Sequence, residues 1–173
     1  MAHPYLRTTR DILKNVETST LTEMTCHLTD LRDRDGRLFC IGNGGGAAHA
    51  THFASDLRKF AHIRAYAQDN MTELTASIND DGWAGHTARW LDIENYTAND
   101  GLFVFSVGGG SDTLSANLRW AYSHAKGTLI LGITGRPGAL ADYATCQIVL
   151  NADTFQTESI QAVLAHLLVS ELT

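Results

Sequence analysis

Five short runs of apolar residues alternate along the chain with longer segments in which apolar residues recur every three or four positions. The short runs are continuously apolar, which is typical of parallel strands buried on both faces, and the longer segments have the period of amphipathic helices. The predicted strands are RLFCI at 37–41, IRAYA at 63–67, LFVFS at 102–106, TLILGIT at 128–134 and CQIVL at 146–150. This alternation predicts a doubly wound α/β fold, a parallel sheet with helices on both faces.

The segment ahead of the first strand has a helical pattern of its own. Between Tyr5 and about Arg34 apolar residues recur at threes and fours, so one or two amphipathic helices are expected there. No linker, repeat or charge block divides the chain, and 173 residues is the usual size of one domain, roughly 100 to 200 residues. We therefore predict a single domain over 1–173. Its N-terminal helical extension, 1–35, is expected to drive self-association, because crossover helices already cover the sheet faces that its apolar stripe needs.

Composition excludes several classes of protein. With 44% hydrophobic and 18% charged residues, the chain can bury a core and is not disordered. A net charge of -6 provides no basic surface for nucleic acid or an anionic membrane. The chain also contains no run of about 18 apolar residues, the length that a helix needs to span a bilayer. The polar start MAHPYLRTTR lacks the apolar core of a signal peptide, so a cytoplasmic protein is expected. Cys26, Cys40 and Cys146 have no CxxC spacing and are expected to be buried apolar residues.

Two glycine-rich loops follow predicted strands and precede predicted helices. They are Gly42-Asn43-Gly44-Gly45-Gly46 and Gly108-Gly109-Gly110-Ser111. In an open α/β sheet such loops lie at the carboxyl ends of the strands, where ligands bind. Glycine lets backbone N–H groups approach an anion, and the helix N-terminus adds partial positive charge, so phosphate is the expected ligand. The alternative is that these glycines only form tight turns.

The first loop can also be read as G-x-G-x-x-A, a variant of the dinucleotide-binding fingerprint. That fingerprint requires an acidic residue about 20 positions further on, and Asp69 comes too late to supply it. Neither loop is followed by the Gly-Lys-Ser/Thr of a Walker A motif. We therefore expect no nucleotide cofactor.

Two pairs of titratable residues are candidates for chemistry. His52 and Asp56 are four apart on the predicted helix after the first loop, so they lie on one face and can chelate an ion; an ordinary surface pair is the alternative. Glu158 and His166 are eight apart on the last predicted helix, about 80° around its axis, so both can border one cleft. His166 lies in the apolar stretch AVLAHLLV, where it is either functional or a hydrogen-bonded core histidine.

Four segments match the motifs of one family, in order along nearly the whole chain. IGNGGGAAHATHFASDL resembles GNGGSxxDAxHFAxEL, and NDDG at 79–82 resembles NDFG. SVGGGSDTL takes the place of STSGNSxNV, and TFQTESIQAVLAHLLVSEL is similar to ARIQExHxxxIHxLCxLIE. Together these are the motifs of the sedoheptulose 7-phosphate isomerases, in the sugar isomerase (SIS) superfamily. The resemblance implies a flavodoxin-like three-layer α/β/α fold and a homotetramer with sites at subunit contacts.

The resemblance also implies a reaction, in which a ketose phosphate becomes an aldose phosphate as a proton moves between C1 and C2 through an enediol. It assigns Asp56 as the base and His166 as its acid/base partner, with Glu158 in the same site. In some members these positions bind zinc, so an optional divalent metal, zinc first, is implied for His52, Asp56, Glu158 and His166. Contacts with the phosphorylated sugar are implied for Asn43, Gly44, Gly45, Asn79, Asp80, Ser106, Val107, Gly108 and Ser111.

Several positions depart from these motifs, and five of them bear on the chemistry. Gly46 replaces the serine of GNGGS, while Val107 and Gly108 replace Thr and Ser of STSGNS, so three phosphate-binding hydroxyl groups are absent. Either extra backbone N–H groups replace those hydroxyls, or the loops accept a different or longer phosphosugar. Asp56 is one methylene shorter than the family's Glu, and Glu158 adds a carboxylate where the family has Gln.

The sequence therefore predicts a cytoplasmic ketose/aldose isomerase that acts on sedoheptulose 7-phosphate or a related long-chain ketose phosphate. The alternative is a non-catalytic SIS protein that forms an oligomer and binds a phosphosugar or a regulatory protein. The set of two histidines and two carboxylates favours the enzyme, because a scaffold has no physical need for acid/base groups. A dinucleotide-dependent enzyme is a distant third hypothesis.

Overall fold

The computed structural model describes residues 3–173. The strands are β1 (Arg37–Gly42), β2 (Arg64–Ala67), β3 (Gly101–Ser106), β4 (Leu129–Thr134) and β5 (Cys146–Val149). The helices are α1 (Pro4–Lys14), α2 (Thr18–Asp33), α3 (Gly45–Phe60), α4 (Met71–Ile93), α5 (Ala116–His124) and α6 (Thr154–Glu171), with a 3₁₀ turn at Gly138–Asp142. All five predicted strands are confirmed. Within residues 3–173 no helix is long and apolar enough to cross a membrane.

The five strands form one parallel sheet in the order β2-β1-β3-β4-β5. This is the strand order of a flavodoxin-like doubly wound sheet, so the predicted fold is confirmed. From β1 the chain crosses to one side of the sheet, and from β3 it crosses to the other. The loops after β1 and β3 therefore diverge and leave a crevice at the carboxyl ends of the strands, where both glycine-rich loops lie.

Alternate residues of the central strands β1, β3 and β4 enter two hydrophobic cores, one on each face of the sheet, whereas the edge strands β2 and β5 contribute to one of them. Phe103 and Phe105 pack in the core formed with α2, α3 and α6. Phe39 and Val104 pack in the core formed with α4 and α5. Complete burial of one such side chain contributes about 1.5–3 kcal/mol to stability. Burial on both faces explains why the sequences of these central strands are continuous apolar runs.

The two N-terminal helices contribute differently to the fold. Helix α2 places Met24, Leu28 and Leu31, all 0% exposed, in the core alongside β5 and α6. The expectation that the apolar stripe of this extension lacks a sheet face to cover was therefore wrong for α2. Helix α1 has no buried residue, contacts α6, and leaves Leu6 61% exposed. Of these two helices, α1 is therefore the one whose apolar surface is left for another molecule to cover.

The cysteines divide between the core and the surface. Cys40 and Cys146 are buried as expected, and burial raises the pKa of the Cys146 thiol to about 11. Cys26 is exposed, so the expectation of burial was wrong for this residue. It follows Met24 by two positions, about 200° around α2, and therefore points away from the buried stripe.

Helix α4 consists of two helical segments joined at a kink. They meet at Gly82, whose φ of 74° and ψ of 170° break the helical geometry. Glycine adopts this positive φ without steric cost. The kink turns the second half of α4 so that His86 and Thr87 become buried next to the first glycine-rich loop.

A buried ion pair fixes the opposite edge of the sheet, at the amino ends of β1 and β3. Arg37 donates from Nε to Oδ1 of Asp100 at 3.0 Å and from Nη2 to Oδ2 at 2.7 Å. The backbone N–H and hydroxyl of Thr97 also donate to Asp100 Oδ2, at 2.8 and 3.0 Å. Burial alone would raise the Asp100 pKa, but these donors outweigh it and hold the pKa below its usual value.

Candidate active site

The first glycine-rich loop connects β1 to α3 and is held very close to β3. Gly44, just before the helix, has a φ of +56°, a left-handed conformation that favours glycine. A Cβ atom on Gly46 would overlap the carbonyl oxygen of Phe105. In this chain α3 therefore packs too closely on β3 for the serine of the GNGGS motif, which explains why that hydroxyl is absent.

The second loop, 107–115, connects β3 to α5 and is braced by its own serines. Ser106 Oγ accepts a hydrogen bond from the Gly109 N–H at 3.0 Å, and Ser111 Oγ accepts one from the Ser115 N–H at 3.2 Å. The two hydroxyls expected to contact phosphate thus also hold the loop in shape. The remaining predicted contacts on this loop are Val107, which is half-buried, and Gly108, which is exposed.

Helices α3 and α6 lie side by side and carry the predicted acid/base residues. Oδ2 of Asp56 lies 3.2 Å from Nε2 of His52 and 3.8 Å from Nε2 of His166. The two imidazole rings meet edge to face, with centroids 5.1 Å apart. The Asp56 side chain is 18% exposed, and those of the two histidines are 62% and 61% exposed. The structure thus brings these three residues together in a cleft that is open to solvent.

The exposure of His166 separates the two interpretations of its apolar sequence context. Leu164, Ala165 and Leu168 around it are buried in the core, whereas the imidazole lies on the outer side of α6. A core histidine would be enclosed and hydrogen-bonded there. The geometry therefore favours the functional interpretation.

Glu158 lies on the same helix as His166 but at the first glycine-rich loop, outside the residues that line the cleft. It precedes His166 by eight residues, about 12 Å along α6, and its carboxyl group lies against the first glycine-rich loop. A Cβ atom on Gly45 would come within 2.5 Å of Glu158 Cδ. The donor atoms of His52, Asp56 and His166 lie within 4.8 Å of one another, and Glu158 is not part of that group. Three of the four predicted metal ligands therefore lie together. The fourth, Glu158, lies at the loop, because eight residues of α6 separate it from His166.

His49 is a site residue that the sequence analysis missed. It lines the same cleft as His52, Asp56 and His166 and is half-buried. Burial lowers the pKa of His49, and the nearby negative charge of Glu158 opposes that shift. A signal was present, because His49 stands where the GNGGSxxDAxHFAxEL motif has Asp. His49 replaces the Asp of the first motif, which loses a carboxylate. Glu158 replaces the Gln of the last motif, which gains one, so the two positions together still carry a single carboxylate.

Asn79 and Asp80 lie on the exposed surface of α4, just before the kink at Gly82. Asn79 Nδ2 donates to Asp80 Oδ1 at 2.8 Å. Neither residue lines the cleft between α3 and α6 or the cavity beside the first loop. A single chain therefore does not bring these two predicted contacts to the other site residues.

A cavity of about 130 Å³ opens beside the first loop, between the ends of β1 and β2 and helices α3 and α4. A network of polar side chains borders it. Asn43 and Asn117 exchange two hydrogen bonds, at 3.0 and 2.9 Å. Asn117 Nδ2 also donates to Thr87 Oγ1 at 3.1 Å, and that oxygen lies 3.3 Å from His86 Nδ1. The sequence analysis missed Asn117, Thr87 and His86, because only the fold brings these residues to Asn43.

Comparison with known proteins identifies relatives with the same architecture. No protein-family model matches the chain. The phosphoheptose isomerase of Helicobacter pylori (strain Shi470) is 31% identical over 154 residues, which cover 82% of this chain and 76% of that protein. The lincomycin biosynthesis protein LmbN of Streptomyces lincolnensis is 34% identical over 137 residues, covering 70% of this chain and 48% of that protein.

Solved structures agree with the fold. The phosphoheptose isomerase GmhA of Neisseria gonorrhoeae superposes with a TM-score of 0.85 at 22% identity, covering 97% of this chain and 92% of that chain. A phosphoheptose isomerase of Francisella tularensis superposes with a TM-score of 0.84 at 18% identity, covering 97% and 91%. The structural likeness confirms the fold, and the identity and coverage of the Helicobacter relative show that the chain belongs to the phosphoheptose isomerase family.

Proposed function

We propose that this chain is a cytoplasmic isomerase that converts sedoheptulose 7-phosphate, or a closely related long-chain ketose phosphate, to the aldose phosphate. The observation that carries the proposal is the Asp56 carboxylate, which lies beside the imidazoles of His52 and His166. Relatives named phosphoheptose isomerase support the same class of substrate. A non-catalytic binding protein would not need this arrangement of acid/base groups.

The substrate's phosphate binds at the carboxyl ends of β1 and β3. The N-terminus of α3 begins at Gly45 and directs partial positive charge at this crevice. Ser106 and Ser111 brace the neighbouring loop, which presents backbone groups where the family motif has more hydroxyls. Glu158, against the first loop, accepts hydrogen bonds from sugar hydroxyl groups.

The isomerisation needs two groups, one for the carbon-bound proton and one for the oxygen-bound protons. Asp56 removes a proton from C1 of the ketose while the His166 imidazolium donates a proton to O2, which gives the enediol. Asp56 then returns its proton to C2, and His166 takes the proton from O1, which gives the aldose. His52 Nε2 lies 3.2 Å from the Asp56 carboxylate and orients it for both transfers.

The cluster of His52, Asp56 and His166 also has the composition of a divalent-metal site. Two imidazoles and one carboxylate form a ligand set that suits zinc, with a fourth position left for water or substrate. A bound ion would supply Lewis-acid polarisation of a substrate oxygen. The carboxylate and imidazoles would still fix the position of the sugar's C1–C2 unit.

The site is expected to be completed by assembly into a homotetramer. His52 and His166 are more than half exposed, whereas proton transfer to carbon benefits from a site that excludes bulk water. A second chain over this cleft would enclose both imidazoles. Light scattering at micromolar protein concentration measures the assembly, and a monomeric mass would contradict it.

The test of the function is a panel of seven- and eight-carbon ketose phosphates, each incubated with the protein and followed by NMR for the aldehyde hydrate and C2 proton of the aldose. Incorporation of deuterium from solvent at C2 would confirm the enediol. Turnover of one member of the panel is the expected result. Tight binding of one member with no turnover of any would instead support a non-catalytic binding protein.

A further inference from the structure

The cavity beside the first glycine-rich loop contains two nitrogen atoms that lack partners. His86 Nε2 and Gln68 Nε2 are both buried and have no hydrogen-bond partner among residues 3–173. Both residues line the same cavity, and His86 is 3% exposed. A buried polar group without a partner destabilises the folded chain, so two at one cavity point to a ligand that binds there.

The hydrogen-bond network determines the chemistry that His86 presents. Thr87 Oγ1 accepts from Asn117 and lies 3.3 Å from His86 Nδ1, and we assign the proton of this contact to the hydroxyl, with His86 Nδ1 as the acceptor. A neutral imidazole that accepts at Nδ1 carries its proton at Nε2. His86 therefore presents an N–H donor to the cavity, and the Gln68 amide nitrogen presents a second donor.

The side chains that line the cavity carry no charge to pair with a charged ligand group. Burial lowers the pKa of His86, so the imidazole is neutral near neutral pH. The rest of the wall includes Ile41, Ala50 and Leu74, which provide no counter-charge for a phosphate or carboxylate. At about 30 Å³ per water molecule, a volume of about 130 Å³ holds about four waters, or a polyol fragment of about four non-hydrogen atoms.

The cavity is connected to the candidate active site through Asn43. This residue belongs to the first glycine-rich loop, lines the cavity, and is hydrogen-bonded to the network that ends at His86. Trp83 forms another part of the wall, 45% exposed, with its ring centroid 5.0 Å from that of His86. A ligand bound across the loop could thus extend a hydroxylated arm into the cavity.

We propose that this cavity is a specificity subsite that receives an uncharged, hydroxyl-bearing part of the phosphosugar, whose oxygens accept hydrogen bonds from His86 Nε2 and Gln68 Nε2. The inference rests on the proposed function, since it takes a phosphosugar as the ligand of the loops. It assigns His86 and Gln68 to recognition of the sugar chain and leaves phosphate recognition to the loops after β1 and β3.

Calorimetry with two probes tests the subsite without relying on turnover. Sedoheptulose 7-phosphate reaches both the loops and the cavity, whereas inorganic phosphate reaches only the loops. His86→Leu and, separately, Gln68→Leu should each weaken binding of the sugar phosphate about tenfold and leave phosphate binding unchanged. His124→Leu, the same change at an exposed histidine on α5 that does not line the cavity, should alter neither affinity.

Nitrogen NMR of the wild-type protein provides a second readout at His86. The Nε2 resonance should show a protonated nitrogen and should shift when the sugar phosphate binds but not when phosphate binds. Equal losses for both probes, or unchanged affinities with an unmoved resonance, would mean that the cavity holds only water and would overturn the proposal. Selective loss of sugar-phosphate affinity in a protein that turns over no ketose phosphate would reject the isomerase and keep the subsite.

Discussion

Nε2 of His166 lies 3.8 Å from Oδ2 of Asp56, and the two residues come from different helices on one face of the sheet. The same carboxylate oxygen lies 3.2 Å from Nε2 of His52. A carboxylate next to two imidazoles can exchange protons with a substrate, or it can join them in holding a cation. Removing one group at a time distinguishes these two uses, because a proton carrier and a metal ligand tolerate different replacements.

Replacing His166 with asparagine should lower turnover by at least about a hundredfold, because asparagine keeps hydrogen bonding but cannot carry a proton at useful pH. The side chain is 61% exposed, so the melting temperature should change by less than about 2 °C. Phosphate binding should be kept, since Ser106 and Ser111 lie on another element. Rate and melting temperature are measured on one preparation. A destabilised variant with normal turnover per folded molecule would remove His166 from the mechanism.

The three-residue cluster makes a specific prediction about metal content. His52→Ala should abolish stoichiometric zinc binding, because it removes one of three ligands that lie within 4.8 Å of one another. Glu158→Gln should keep zinc binding, because that carboxylate lies at Gly45 instead. Elemental analysis after dialysis against zinc measures both. Equal loss of metal in the two variants would show that Glu158 swings into the cluster, and an active protein without metal in chelator would reject an essential ion.

The sequence predicts the sheet well for a physical reason. Residues such as Phe103 and Val104 are buried on opposite faces, so the central strands must be apolar along their whole length. That requirement is local and is visible in the chain itself. The use of α2 in the core was missed, because an amphipathic stripe does not reveal whether it covers a sheet of its own chain or another molecule.

The candidate site is only partly predictable for a related reason. The spacing of His52 and Asp56 fixes a pair on one helix, so their contact follows from helical geometry. The distance of Glu158 from that pair depends on how α6 is translated along α3, which spacing within one helix cannot determine. The link between Asn43 and His86 through Asn117 and Thr87 depends on three separate elements and exists only in the folded chain.

Restoring the motif serine at position 46 should destabilise the protein and not improve phosphate binding. The Cβ of Gly46→Ser would overlap the Phe105 carbonyl oxygen, so α3 would have to move away from β3. Overpacking of this kind costs about 1–3 kcal/mol. Urea denaturation measures the cost. Gly85→Ser, where a new Cβ meets only Asp81 Cβ at 3.4 Å, is the matched control and should have little effect. A gain in phosphate affinity with unchanged stability would contradict this account.

The stability of the protein should fall at acid pH through Asp100. The pKa of this carboxyl is held below its usual value of 3.8 in the folded chain, so the folded state binds its proton less readily than the unfolded state does. Its contribution is therefore complete above about pH 5 and is lost as pH falls through the lowered pKa. Asp100→Asn should cost about 3 kcal/mol at pH 7, because Arg37 loses its buried partner, and should flatten the acid limb of the stability curve.

The control is Asp11→Asn, which changes an exposed carboxylate paired with Arg10 and should alter stability by less than about 1 kcal/mol. Urea titrations from pH 3 to 8, at about one-unit steps, follow both variants, and equal slopes for Asp100→Asn and the wild type would assign the acid sensitivity to other carboxyl groups.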